Sequence, residues 1–180
     1  MSSFNEDFIK HLETLKEHDR GAIAALRRSL SFAPGSYVPA FQSIERFSAR
    51  NDDTPWRRQA LYLTAGLYAL HPEHAAGQSL AAVLARVMLD RKSPSIEKRF
   101  LALLATEPEE LPDHLRQVVS LLAATKAGID YVELFANLST WLEPRAFEDR
   151  DRLRQRWAKA FYRAAAPAEK PAEPATAQQD

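Results

Sequence analysis

Asp19-Arg20-Gly21-Ala22-Ile23-Ala24-Ala25-Leu26-Arg27-Arg28-Ser29-Leu30 reads as a capped amphipathic helix. The Asp19 carboxylate can accept the free backbone N–H groups of a first helical turn. Ile23, Leu26 and Leu30 recur at helical spacing and form one apolar stripe. Arg20 and Arg27, seven residues apart, share a side of this helix, and Arg28 sits one position round from Arg27. The stretch is therefore a helix buried on one face and cationic on another. An arginine fork donates bidentate hydrogen bonds and keeps its charge, which suits phosphate. The same pattern also describes a plain solvated arginine face.

Working outward, the same pattern repeats. Phe4, Phe8, Leu12 and Leu15 make a preceding stripe. Pro34-Gly35 ends the arginine-bearing helix, a short helix is expected from Val38 to Arg46, and Ser48 to Asp53 reads as a polar loop. Thr54-Pro55 is a helix start, with Thr as cap and Pro in the first turn. Leu61, Tyr62, Ala65, Tyr68 and Ala69 follow on that helix, which His71-Pro72 ends. Leu80, Val83, Leu84, Val87 and Met88 form the next face. Ser93-Pro94 opens a helix through Phe100, Leu103 and Leu104, and Thr106 to Pro112 is a turn or a broken helix start. Leu115, Val118, Val119 and Leu122 continue at helical spacing. Asp130 and Glu133 resemble a capping box ahead of Leu134, Leu138 and Trp141. The last helix is expected from about Ala146 to Arg163, with Leu153, Trp157 and Phe161 at i, i+4 and i+8. There is no strand-like alternation and no internal repeat. The reading is an all-α protein, a compact helical bundle of about nine helices spanning 1–165. Asp90-Arg91-Lys92-Ser93-Pro94 is a candidate division into sub-bundles 1–92 and 93–165. Residues 166–180 carry no large apolar side chain and are expected to be a disordered tail.

Composition narrows the function. The 180 residues are 46% apolar, enough for a real hydrophobic core. There is no cysteine, which excludes disulfides, thiolate metal sites and a cysteine nucleophile and fits a reducing cytosol. No apolar run approaches membrane-spanning length. The polar, acidic Met1-Ser2-Ser3-Phe4-Asn5-Glu6-Asp7 does not read as a signal peptide, so a cytoplasmic location is expected. Lys and Arg total 24 and so do Asp and Glu, a balance that argues against a broadly basic nucleic-acid binder but leaves local patches open. The final stretch carries Glu169, Glu173 and Asp180 against Lys170, so the remainder is slightly basic. His71-Pro72-Glu73-His74 is not a metalloprotease pair, because Pro72 breaks the helix that would align two imidazoles. Glu107, Glu109, Glu110 and Asp113 cluster at a helix start, where the dipole accounts for them. With no Gly-rich phosphate loop and no nucleophile elbow, no catalytic residue, metal or cofactor is expected.

Cations concentrate elsewhere. Arg152, Arg156, Lys159 and Arg163 share one face of the last helix, although Glu148, Asp149 and Asp151 lie close enough to neutralise several. Lys98-Arg99-Phe100 follows the Ser93-Pro94 start, Arg116 follows Leu111-Pro112-Asp113-His114-Leu115, and Arg57-Arg58 follow Thr54-Pro55. Cations in a first helical turn are electrostatically disfavoured, which hints at an anionic partner. Trp56, Trp141, Trp157 and most phenylalanines fall at core spacing, and Trp56, beside Arg57 and Arg58 near a helix start, is the one whose exposure the structure must decide.

In order, several segments resemble the CasB family, the small subunit of the type I-E CRISPR surveillance complex Cascade. They are Asp19-Arg20-Gly21-Ala22 with Leu26-Arg27-Arg28, then Leu67-Tyr68-Ala69-Leu70-His71-Pro72, then Ser95 to Arg99-Phe100 with Leu103-Leu104. Leu111-Pro112 with His114-Leu115-Arg116 and Leu121-Leu122, Ile129-Asp130-Tyr131 with Leu134 and Leu138 to Trp141, and Arg156-Trp157 to Phe161-Tyr162 complete the likeness. No one of these motifs is specific alone; their order and spacing are. The resemblance implies a non-enzymatic helical protein that sits as a pair of copies in a ribonucleoprotein. It would contact backbone and large subunits, guide RNA and target DNA in the R-loop, with no membrane partner. It carries over Arg27, Arg28, Arg99, Arg116 and, less directly, Arg156 as nucleic-acid contacts. Arg20, Arg57, Arg58, Lys159 and Arg163 join them on the helix-face argument. The competing reading is a purely structural scaffold whose arginines pair with carboxylates. Convergence of cations from separate helices favours nucleic acid, and interleaving with acids favours the scaffold.

Overall fold

The computed structural model describes residues 3–50 and 54–167. Among them are nine α-helices and no strand. These are α1 (Phe4–His18), α2 (Arg20–Ser29), α3 (Phe41–Ser48), α4 (Pro55–Leu70), α5 (Leu80–Arg91), α6 (Ser95–Leu104), α7 (Leu111–Ala123), α8 (Tyr131–Leu142) and α9 (Phe147–Ala165). The expected all-helical bundle is the observed one. Residues 168–180, most of the expected tail, lie outside the described residues, as do 51–53 of the expected loop.

α4 organises the fold. Residues 60–69 are buried on every side, because no charge occurs between Gln59 and Leu70. A helix apolar all round belongs inside a bundle. It packs against α2, α3, α7 and α8. α2 comes close at Gly66, where a Cβ would stand 2.6 Å from Leu30 Cδ2, so a larger residue would force the Leu30 side chain to shift. α9 lies along α5, with Leu153, Trp157 and Phe161 buried as the i, i+4, i+8 pattern requires. The Phe161 ring stacks on Phe100 of α6 with centroids 4.3 Å apart.

Local expectations are met or corrected at the caps. Asp19 caps α2 by accepting from Ala22 N at 2.8 Å. Ser3 and Glu6 form a reciprocal capping box on α1. The expected Val38–Arg46 helix is split: Val38–Ala40 is a short 3₁₀ turn and α3 begins at Phe41. A proline disfavours the α conformation for the residue before it, here Val38. α3 continues to Ser48, which is buried rather than part of a polar loop. Thr54 occupies the cap position of α4 without capping it, and its hydroxyl is buried and unbonded. Asp130 caps α8 at Val132 N and Glu133 N, but its own N–H goes to Gln78 O at 2.7 Å rather than to Glu133. Its second carboxylate oxygen accepts from Gly77 N at 2.7 Å, joining the α8 start to the loop before α5.

His11 joins α1 to α3. Its Nε2–H donates to Ser43 O at 2.9 Å, Nδ1 accepts from the Arg46 guanidinium, and the ring packs on Phe47 with centroids 5.0 Å apart. Burial lowers the imidazole pKa from its ordinary value; the Ser43 carbonyl opposes this and the Arg46 charge adds to it. A histidine whose pKa falls on folding stabilises the protein fully above its unfolded value, near 6.5, and loses that contribution as pH drops through the folded value. The expected result is a melting temperature that declines from pH 7.5 toward pH 5, with a shallower decline in His11→Gln. Parallel profiles for the two proteins would refute this coupling.

Candidate nucleic-acid interface

The ten candidate cations separate into groups that local sequence could not distinguish. Nine are exposed, and Arg58 alone is half-buried. Arg58 is committed to the fold. Its Nη1 donates to Gly35 O at 2.9 Å, its Nε donates to Glu45 Oε1 at 3.1 Å, and Nη2 pairs with the same carboxylate oxygen. The guanidinium lies over the Tyr62 and Phe41 rings, 4.8 and 5.2 Å from their centroids. Burial alone would raise the Glu45 pKa, but the hydrogen bonds from Arg58 and Tyr62 and the Arg58 charge hold it below the usual carboxylate range. Tyr62 is raised in turn, by burial and by donating to Glu45.

On α2, the Arg27 Nε–H donates to Ala69 O at 2.9 Å. This satisfies a carbonyl in the last turn of α4, where a cation is also favoured by the helix dipole. The rest of its fork points outward with the exposed residue. Arg20 and Arg28 are exposed, and their side chains make no hydrogen bond or ion pair with a described residue. Arg57 lines an open depression with Phe4, Trp56, Phe135, Thr140 and Glu143. Trp56 is half-buried against the core, in keeping with the core spacing of the tryptophans.

α6 and α7 bring Arg99 and Arg116 together. With Asp113, Gln117 and Ser120 they line one open groove of 420 Å³. Neither guanidinium has a partner among the described residues. Two cations from different helices therefore face shared open space, beside one carboxylate and two neutral hydrogen-bonding side chains. An anion lying there could be gripped from both sides.

α9 is divided along its length. In its first half, Arg152 pairs with Glu148 at 3.2 Å and Asp149 at 3.0 Å, and Arg154 pairs with Asp151 at 3.2 Å. Arg152 therefore leaves the row of four anticipated on this face. Arg154 also donates to Thr106 O at 2.8 Å. Arg150 is 4% exposed. The second half carries Arg156, Lys159 and Arg163, exposed and without a hydrogen bond or ion pair to a described residue. Arg156 lies near Glu133 of α8, whose pKa is raised by burial and by Asp130 while Asn137 and Arg156 oppose the rise. α2 packs on α1 and α4, whereas α9 packs on α5 and α8, so these two cationic groups occupy different flanks.

His71 and His74, which the sequence sets aside as a metal pair, both bond to backbone. His71 is buried and donates from Nε2 to Ala127 O at 2.7 Å, while His74 Nδ1 accepts from Tyr131 N at 3.2 Å. No cluster of three or more potential ligands occurs among the described residues. No described helix is long and apolar enough to cross a membrane.

Sequence reading missed Arg150, Arg154 and Glu107 as an ion-paired joint, and it missed Phe32 and Tyr37. Phe32 is 46% exposed and stacks on Tyr37 with centroids 4.7 Å apart and ring planes at 24°. One signal was available, since Phe32 falls outside the Ile23, Leu26, Leu30 stripe and directly before Ala33-Pro34-Gly35.

The sequence profile of the CRISPR-associated protein Cse2 family matches residues 22–162. The chain is 38% identical over 161 residues to a CRISPR-associated protein Cse2 from Thermus thermophilus, covering 89% of each protein. The crystal structure of CasB from Thermus thermophilus superposes with a TM-score of 0.76 at 38% identity, covering 90% of this chain and 99% of that one. A chain of a CRISPR RNA-guided surveillance complex shares the fold with a TM-score of 0.75 at 20% identity, covering 90% and 93%.

Proposed function

Because the chain belongs to the CRISPR-associated Cse2 (CasB) family, we propose that it is a non-catalytic subunit of a type I-E Cascade complex that holds nucleic acid by sequence-independent contacts to phosphate. The observation that carries this reading is the Arg99–Arg116 groove, where unpaired cations from two helices converge on one open space. Arg28 and the Arg156, Lys159, Arg163 row extend the same chemistry to other flanks. Arg58 takes no part, because its donors are spent on Gly35 and Glu45.

In this role the arginines act as fixed phosphate clamps. Base pairing between guide and target reads the sequence, so the protein needs charge and position rather than a base code. Holding opened strands against re-annealing stabilises the R-loop in proportion to the contacts made. Its partners are the backbone and large subunits, guide RNA, target DNA and a second copy of itself, in the cytoplasm.

The test is fluorescence anisotropy of the full-length protein with single-stranded DNA, duplex DNA and RNA across a salt series. Binding should be indifferent to sequence and fade steeply with salt. Arg99→Gln with Arg116→Gln should reduce the log–log salt slope by about 1.4 to 1.8, the counterions released at two phosphates. An unchanged slope together with failed assembly onto the other subunits would reassign the groove to protein contacts, which is the scaffold reading.

A further inference from the structure

The segment between α2 and α3 combines features that the phosphate contacts do not use. Residues 20–44 contain three arginines and no aspartate or glutamate. Glu107 and Glu109 approach this segment at Ala33 and Pro34, and its own charge is carried by the arginines of α2. After α2 the chain tightens: the N–H groups of Leu30, Ser31 and Phe32 donate to the carbonyls of Arg27, Arg28 and Ser29. These bonds carry the winding three residues past α2, so Phe32 follows Arg28 by four positions on a tightened turn. Phe32 then stacks on Tyr37, and Tyr37 packs against the core.

The aromatic pair is held rigidly. Gly35 has φ +83°, in the left-handed region, and a Cβ there would collide with the Arg58 guanidinium. Arg58 clamps the Gly35 carbonyl, and Ser36 closes the loop with its hydroxyl donating to Ala33 O at 2.7 Å. An exposed aromatic on a mobile loop would lose entropy on binding; this one is ordered beforehand. A half-exposed ring four positions past an exposed, unpaired arginine suits a ligand that is anionic and planar at once. A nucleotide has both properties, but only a base freed from its own helix offers a face.

We propose that Phe32, backed by Tyr37, is a stacking seat for one unpaired base of a single strand whose adjacent phosphate is held by Arg28. This rests on the nucleic-acid reading above and adds to it a preference for opened over duplex DNA. Arg58 acts as a positioning residue for the seat.

The experiment uses the full-length protein and an oligothymidylate carrying 5-iodouracil, with binding measured across a salt series and photo-crosslinks mapped by mass spectrometry. Phe32→Leu keeps an apolar side chain but removes the π face. It should weaken single-strand binding by about 10-fold with the salt slope unchanged, and it should abolish a crosslink at residue 32. Phe32→Trp should retain both affinity and crosslink. Arg28→Ala should instead lower the slope by about 0.7. Unchanged affinity in Phe32→Leu would overturn the seat and leave the phosphate-binding function standing. Absence of salt-dependent binding by the unaltered protein would overturn that function and the seat with it. Normal DNA binding by Phe32→Leu with impaired association with the other subunits would make this pair a protein contact and refute the proposal.

Discussion

Arg150→Ala should lower the unfolding free energy by about 2–4 kcal/mol, the cost of removing charge-assisted hydrogen bonds to two backbone carbonyls at a buried joint. Arg150 is 4% exposed. Its Nε donates to Trp141 O at 3.0 Å and its Nη2 donates to Glu143 O at 2.9 Å. The first acceptor lies in the last turn of α8 and the second at its cap, so Arg150 satisfies carbonyls that no intrahelical N–H can reach. The Glu107 carboxylate is farther away, 3.9 Å from Nη1, and contributes less. Truncation would leave the Trp141 carbonyl without its Arg150 donor and a guanidinium-sized void at the α8–α9 turn, while Glu143 O keeps its bond from Ala146 N at 3.3 Å. Melting should fall by roughly 10 °C for a chain of this size. Arg150→Lys should recover little, because an ammonium cannot reproduce the fork that spans two carbonyls. Thermal unfolding followed by circular dichroism checks both variants. A loss below 1 kcal/mol would show that water replaces the fork.

Arg58→Ala should cost about 2–3 kcal/mol, from charge-assisted hydrogen bonds to Glu45 and Gly35 and from cation–π contact with Tyr62. The Arg58 side chain is 29% exposed and that of Glu45 41%, so water will soften the loss compared with Arg150. The informative comparison is with Arg28→Ala. Removing Arg58 should reduce stability and leave the salt slope of nucleic-acid binding unchanged. Removing Arg28 should do the reverse. Equal slopes lost in both variants would place Arg58 among the phosphate contacts after all. Acid should act on the same joint: Glu45 stabilises the fold above its ordinary pKa and loses that contribution as pH falls through its depressed folded value.

The segments that carried the family resemblance are not all functional. Leu67 to Pro72 and Ile129-Asp130-Tyr131 form one structural joint. The Tyr131 hydroxyl donates to His71 O at 2.6 Å, and the Tyr131 ring meets Tyr68 edge-on with centroids 5.1 Å apart. His74 and Ile129 make a single parallel bridge beside it. Lys16 of α1 adds a bond to Pro72 O at 2.6 Å. These residues hold the end of α4 to the start of α8. By contrast, Arg99 and Arg116 belong to two further motifs of the resemblance and meet in one groove.

The helices and their buried stripes were legible from the chain alone, because helical periodicity and capping act within a few residues. Ile23 and Leu26, Leu153 and Trp157, and the Asp19 cap all follow from spacing. So did the inventory of cations. What only the tertiary structure decided was which cations remain available. Arg58 meets Glu45 across 13 residues, Arg27 meets Ala69 across 42, and Arg154 meets Thr106 across 48. Arg99 and Arg116 share a groove only because α6 packs on α7. Helix formation is governed by neighbours in sequence, whereas the fate of a charge is governed by neighbours in space, and those are set by how the apolar faces pack.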